Sequence, residues 1–551
     1  MAKTSALASQ PGGKSTAKQP NDYIQTVRHH AARDIRTSLY PGVNYGHLTR
    51  FLQQHSSHHS SHSPSSRLNY AVIHDLSHSH GEHGRVIAFD ADSGRDDFAN
   101  HPYPEVGSGH LVFLHGYPSP EWMGVVGARY RVDPEFFHRL LIHTQSGDFY
   151  DTPALPSAST NIITLPFCSL GQYLGGFIRA TEGDETLDTH FRNLGVRFRT
   201  GESIVRAFHL HDEQHFSLVQ NISLCVIPRK SSGWSAIVYL DVGRPLDTGP
   251  PGPWSRLMTS NHGDVFCPVI QSRPNLSLMK HPPWATVTET EFSDSVQNSR
   301  FLQSASLLSH QSYGRFLSET LMKADPFYAL TDIFAFVASS ENQLFNSLNS
   351  KLDTGMRYSV PGTMISSLTT LTYHRQIFEE HIEQIEKIIA IIERRGNMKW
   401  PTIVKRPADP MGTTTAAHTQ QDSSATSEIN STANRILDDY QYLLRRAQSI
   451  SRRYQDAIDH LRNNAMLGES KKAMEQARGV ARLSLLAFFF LPLGFTTSFF
   501  GMNFAETNTG LSIWVFFAVS VPAFFVTAIV CYWKESWELV RRYWKRGNSS
   551  Q

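Results

Sequence analysis

Histidine supplies the densest chemistry in this chain. Eight histidines fall between His55 and His83, in HSSHHSSH and HDLSHSHGEH, and imidazole nitrogens at that density could hold zinc or nickel. No cysteine and no regular ligand spacing accompany them, so a flexible low-complexity tail is the favoured reading. Nucleophilic chemistry has one foothold. HLVFLHGYP (110–118) has the form of a strand entering a His-Gly oxyanion loop, but such a hydrolase also needs G-x-S-x-G between a strand and a helix. The nearest segment, FCSLG (167–171), has Phe167 where the first glycine belongs, and no other serine offers the elbow. No GxxxxGK[ST] occurs, which removes ATP-driven work. Cys168, Cys225, Cys267 and Cys531 are scattered without a CxxC pair. That spacing argues against a disulfide framework or a structural zinc site and fits a reducing compartment. The expectation is a protein that is not an enzyme and has no resident cofactor.

The elements that remain are those of a membrane protein. The chain has 551 residues, 18% charged and 40% apolar, with 51 basic against 49 acidic residues. A net charge of +2 argues against nucleic acid as a partner, since phosphate neutralisation needs a clear basic excess. Two apolar runs lie near the C-terminus. LSLLAFFFLPLGFTTSFF (483–500) is free of charge, and so is LSIWVFFAVSVPAFFVTAIVCYW (511–533). Each is long enough to cross about 30 Å of hydrocarbon as a helix, and Pro492 and Pro522 are better tolerated in membrane helices than in buried soluble ones. Lys471, Lys472, Arg478 and Arg482 precede the first run. Lys534, Arg541, Arg542, Lys545 and Arg546 follow the second. Basic flanks on both outer sides put both termini in the cytoplasm (or a matrix) and the short link outside. The N-terminal twenty residues have no apolar signal-peptide core and only a weak transit-peptide character, so the plasma membrane is favoured over an organelle.

The fold class expected is an α+β cytosolic domain followed by long helices and a C-terminal two-helix transmembrane hairpin. The boundaries are a disordered, His-rich region over 1–105, the α+β domain over 106–290, cytosolic helices over 291–396 and a low-complexity linker over 397–430. A stalk helix (431–482), a first span (483–503), an outer loop (504–510), a second span (511–533) and a basic tail (534–551) complete the chain. Helices are expected over 328–352 and 363–395, the latter keeping Leu371, Phe378, Ile382, Ile385, Ile389 and Ile392 on one face. In the stalk, Ile436, Tyr440, Leu443, Ala447, Ile450, Tyr454, Ala457, Leu461 and Ala465 recur at alternating spacings of four and three, the mark of a long helix packed along others. On the same phase the first span offers Ser484, Ala487, Leu491, Gly494 and Ser498, with Phe488, Phe489, Phe495 and Phe499 off the stripe. Small residues in a row mean close helix packing or a narrow lining shared by several subunits. Two spans per chain cannot enclose an aqueous path, so a pore requires an oligomer. Leu491 is then the candidate hydrophobic constriction.

Gly501-Met502-Asn503 stands where the first run meets the outer link. In that position, with two terminal apolar runs, a short link, a long preceding helix and a basic tail, the chain resembles the CorA-like family of divalent-cation transporters. FFFLPLGFTTSFFGMNF (488–504) and NNAMLGESKKAMEQA (463–477) look like its fungal branch, as do HGYPSPEWM (115–123) and DPEFFHRLL (133–141). The resemblance implies a homopentameric funnel in the lipid bilayer that carries Mg²⁺, or Co²⁺, Ni²⁺ or Zn²⁺, down the membrane potential. It implies that Asn503 forms an amide ring contacting the hydrated ion, with Gly501 and Met502 shaping that ring. Glu506 would attract cations at the mouth. Asp438, Asp439, Asp456 and Asp459 on the stalk are possible Mg²⁺-sensing carboxylates, a solvated helix face being the favoured reading. The departures are Ala477 and Gly494 where bacterial members have polar pore positions, and a loop whose only acid is Glu506. They keep a second reading open, a non-conducting membrane-anchored scaffold on the same frame.

Overall fold

GHLVFLH and WSAIVYL are apolar at nearly every position rather than at alternate ones, the pattern of strands covered on both faces. In the computed structural model they lie side by side. β3 (Gly109–His115) and β7 (Trp234–Leu240) run parallel, Gly109 opposite Trp234 and His115 opposite Leu240, and every residue of both is buried. The structure describes residues 20–34, 36–54, 68–76, 85–103, 107–141, 155, 160–172, 180–197, 199–212, 214–229, 233–255, 265–271, 303–357, 364–395, 416–501, 514–529 and 533. The chain divides into two units, Met1–Gln455 and Asp456–Gln551.

The sheet of the first unit also contains β1 (Asn69–Asp75), β2 (Arg85–Asp90), β4 (Ile162–Gln172), β5 (Ala207–Leu210), β6 (His215–Pro228) and β8 (Val265–Cys267). Its order is β2-β1-β3-β7-β6-β4-β8, with β5 paired to β6 off that path. Apart from β3–β7 its pairings are antiparallel. One face carries Ile73, Val112, Leu114, Ile237 and Tyr239 against α1 (Pro20–Ala31), α2 (Gly46–Leu52), α4 (Pro120–Tyr130) and α5 (Pro134–Leu141). Serine and proline set the start of α4: the Ser119 side chain accepts from the Trp122 N–H, and Pro120, which has no N–H to satisfy, opens the helix. Two further helices, α3 (Arg95–Asn100) and α6 (Ala180–Arg197), lie in the connections.

The opposite face is covered by the helical half of the unit. After α7 (Glu319–Ala324), α8 (Pro326–Arg357) lies on β4, where Phe336 meets Phe167 with ring centroids 5.5 Å apart. α9 (Met364–Arg394) and α10 (Ala416–Gly501) continue the layer. The stalk seam is buried from Ile436 to Leu461, while Ala465 is exposed. Two of its tyrosines tie α10 to α8 by donating across the seam, Tyr440 to the Phe334 carbonyl at 3.0 Å and Tyr454 to the Leu348 carbonyl at 2.7 Å. One heptad apart, Arg446 donates to Asn342 and Arg453 to Asn349 and Asp353, a ladder along the edge of the same contact. Asp438, Asp456 and Asp459 are exposed on the side of the helix away from the seam, whereas Asp439 is exposed at the seam's edge, where burial raises its carboxyl above the ordinary carboxylate range.

Two boundaries differ from the sequence reading. Disorder was expected over 1–105, yet α1, α2, β1, β2 and α3 all form within it. These short elements are held by partners far along the chain: Tyr23 donates to the Val132 carbonyl at 3.0 Å, and Trp122 to the Ala91 carbonyl at 2.9 Å. The α+β domain therefore begins well before residue 106. Of the eight tract histidines only His74 is among the described residues, and it is buried in β1 with Nε2 2.9 Å from the Ser309 carbonyl. Finally, α10 already begins at Ala416, inside the expected linker over 397–430.

The geometry also removes the hydrolase reading. Ser169 sits in mid-strand, paired with Leu218 of β6, so FCSLG has no strand-to-helix elbow. His115-Gly116 is a tight structural turn. Gly116 adopts φ +67°, and a Cβ there would meet the Gly201 carbonyl oxygen at 2.5 Å, a position that only glycine fills without strain.

Candidate ion pathway

The residues expected to line a pore lie in the second unit. There α10 contains an 18-residue window long and apolar enough to cross a membrane, of which only 6% is buried. A shorter apolar helix, α11 (Trp514–Ile529), follows. Large apolar side chains are open on both: Leu483, Phe490 and Phe495 on α10 and Trp514, Phe525 and Ile529 on α11 are all more than half exposed. That much uncovered apolar surface is stable only against lipid or other protein.

The contact between α10 and α11 selects one side of α10. Phe489 stacks near Phe524 with centroids 5.1 Å apart, and Ser520 donates to the Thr496 hydroxyl at 3.1 Å, both hydroxyl residues being buried. The Thr496 hydroxyl also lies 3.0 Å from the Leu493 carbonyl, within its own helix. At about 100° of rotation per residue, Ser484, Ala487, Leu491, Gly494 and Ser498 occupy an arc about 80° wide, and that arc points away from Phe489 and Thr496. All five are exposed, Leu491 by 71%. The stripe read from the sequence is thus one uncovered face, on the far side of the helix from α11.

Gly494 sharpens this observation. A Cβ added to it would meet nothing within 4 Å. Glycine inside a helix costs about 1 kcal/mol relative to alanine, and no close approach within the described chain explains its use here.

Gly501 is the last described residue of α10 and is exposed. Met502, Asn503 and Glu506 lie outside the described residues, as does the link that holds them. Thr496 and Ser520 escaped the sequence reading. The available signal was a hydroxyl at position 520 in the middle of an apolar run, with another one heptad beyond Phe489, because polar side chains in such helices seek partners on neighbouring helices.

Residues 327–534 match the family model described as CorA-like Mg2+ transporter protein. The match runs from the start of α8 through α11 and bears out the resemblance to that family, whose members are ion transporters and not enzymes. Among solved structures, the complete structure of the CorA magnesium transporter from Methanocaldococcus jannaschii is similar at 11% identity. It covers 84% of this chain and 96% of that one, with a TM-score of 0.32. No curated protein matches the chain.

Proposed function

We propose that this chain is one subunit of a homopentameric, membrane-potential-driven channel for divalent cations, Mg²⁺ first among them. The observation that carries the reading is the uncovered small-residue arc of α10, on a segment that matches a family of Mg²⁺ transporters and directly opposite the contact with α11. Five copies with α10 inside and α11 outside would turn that arc into a shared lining of Ser484, Ala487, Leu491, Gly494 and Ser498, with Leu491 as a ring that closes by dewetting. The two apolar runs, 483–503 and 511–533, would span as a hairpin with both termini cytoplasmic, the basic flanks favouring that orientation.

Gly501-Met502-Asn503 would form the outer mouth. Mg²⁺ releases its waters reluctantly, so a ring of Asn503 amides can choose the ion by hydrogen-bonding its hydration shell. A carboxylate ring would bind more tightly and release more slowly. Glu506 would raise the local cation concentration. Two charges crossing 100 mV gain about 4.6 kcal/mol, which suffices as a driving force.

The Asn503 ring is tested by ion competition. Asn503→Ala is expected to lose about tenfold or more of its Mg²⁺ flux, equivalent to about 1.4 kcal/mol, or to lose preference for Mg²⁺ over Co²⁺ and Ni²⁺. Flux and preference identical to the parent, in a variant that inserts and assembles normally, would contradict the assignment.

A further inference from the structure

Cys168, Glu341 and His381 stand 173 and 40 residues apart in the sequence, yet β4, α8 and α9 bring them to one point. All three are more than nine-tenths buried. The Cys168 Sγ lies 3.9 Å from His381 Nε2, and His381 Nδ1 lies 2.7 Å from Glu341 Oε2. One donor atom from each residue can be chosen so that all three fall within 4.8 Å of one another. The position of the thiol is itself built. Ser340, the neighbour of Glu341, accepts from the Cys168 N–H at 2.8 Å and donates to the Cys168 carbonyl at 2.7 Å, which clamps α8 to the strand at this residue.

We propose that Cys168, Glu341 and His381 form an intracellular binding site for a transition-metal divalent cation, zinc by chemical class, that locks α8 and α9 onto β4. Bonds of about 2.0–2.3 Å to one ion require the Glu341–Nδ1 hydrogen bond to open so that the carboxylate can swing to the ion, because Cys168 lies at Nε2 and Glu341 at Nδ1, on different sides of the ring. A thiolate and an imidazole select Zn²⁺ or Co²⁺ and reject Mg²⁺, which takes oxygen ligands. The site is therefore separate from any Mg²⁺ the protein carries, and it stands whether or not the chain conducts.

The test uses Co²⁺ as a coloured probe on the full-length protein in excess Mg²⁺. The metal is added in two ways: by titrating purified, chelator-stripped protein, and by growing the producing cells in cobalt so that the ion enters during folding. A thiolate-to-cobalt charge-transfer band saturating at one Co²⁺ per chain and bleached by Zn²⁺ is expected. The N-terminal histidines cannot produce such a band. It should vanish in Cys168→Ser, weaken in Glu341→Gln and persist in Cys225→Ser and Cys267→Ser. Circular dichroism would confirm that each variant is folded, and Zn²⁺ should raise the unfolding temperature of the parent but not of Cys168→Ser. No band by either route, or a band retained in Cys168→Ser, overturns the proposal.

Discussion

Asp241→Asn should cost the first unit about 3–5 kcal/mol, the usual loss when one partner of a buried ion pair is removed. Asp241 is fully buried at the end of β7. Its two carboxylate oxygens accept from the Arg206 Nε and Nη2 at 2.7 and 2.8 Å, and the Asn221 backbone N–H donates to it at 2.8 Å. Asparagine preserves the shape but leaves the guanidinium without its counter-charge in a site that water scarcely reaches. Folded domains have only about 5–15 kcal/mol in hand, so the midpoint of urea unfolding should fall by a large fraction. The buried Trp122, Trp234 and Trp254 report that transition directly. The double variant Arg206→Met/Asp241→Leu should recover most of the loss, since removing both charges also removes the desolvation penalty. A single variant within about 1 kcal/mol of the parent would mean that the pair does not hold this end of the sheet.

Acid should unfold the same unit well above the carboxylate range. Burial lowers the pKa of His74, His115, His190, His209 and His374 to about 4, that of His110 to about 3, and that of His211 well below its ordinary value. In the folded state these imidazoles stay neutral, while in the unfolded chain they take up protons below their ordinary 6.5. Between pH 6.5 and about 4 the unfolded state therefore binds more protons, and stability falls as pH falls, by up to about 1.4 kcal/mol per pH unit for each group. Burial raises the Glu202, Asp325 and Asp439 carboxyls, which act in the opposite direction but number three against these seven histidines. His381 is held above its ordinary value, so its contribution is intact below pH 6.5 and is lost only as pH rises. Stability should thus peak near neutrality, with an acid midpoint between pH 6.5 and 4. Tryptophan fluorescence against pH gives the answer, and a flat profile down to pH 4 would contradict it.

What could be read without the structure divides by the range of the forces involved. The α10 seam was legible because its burial repeats every three and four residues over many turns, and the span face continues the same phase. The central strands were legible because both of their faces are covered. The N-terminal elements were not, since α1 and β1 are short, lie among polar tracts, and owe their order to distant partners such as Val132 and Ser309. On α9 the buried stripe is His374, Phe378, His381, Ile385, Ile388 and Ile392, whereas Ile382 and Ile389 are only half-buried. The spacing of four and three was present in the sequence, but two of its positions are histidines, and apolar periodicity gives them no weight. Burial is possible there because the fold supplies partners: Glu341 for His381 and the Tyr454 hydroxyl, 3.4 Å away, for His374. The cysteine argument against a zinc-type site reached only ligands spaced along the chain, and spacing says nothing of donors drawn from a strand and two separate helices, as Cys168, Glu341 and His381 are.

Potential-driven Mg²⁺ entry bears most directly on the central claim. Purified protein in proteoliposomes, with a Mg²⁺-sensitive dye inside and an imposed negative-inside potential, should admit Mg²⁺ at a rate that rises with the potential and vanishes when the potential is collapsed. Correctly inserted oligomers that pass no Mg²⁺, Co²⁺, Ni²⁺ or Zn²⁺ under the same potential would contradict the channel and leave a membrane-anchored scaffold in its place.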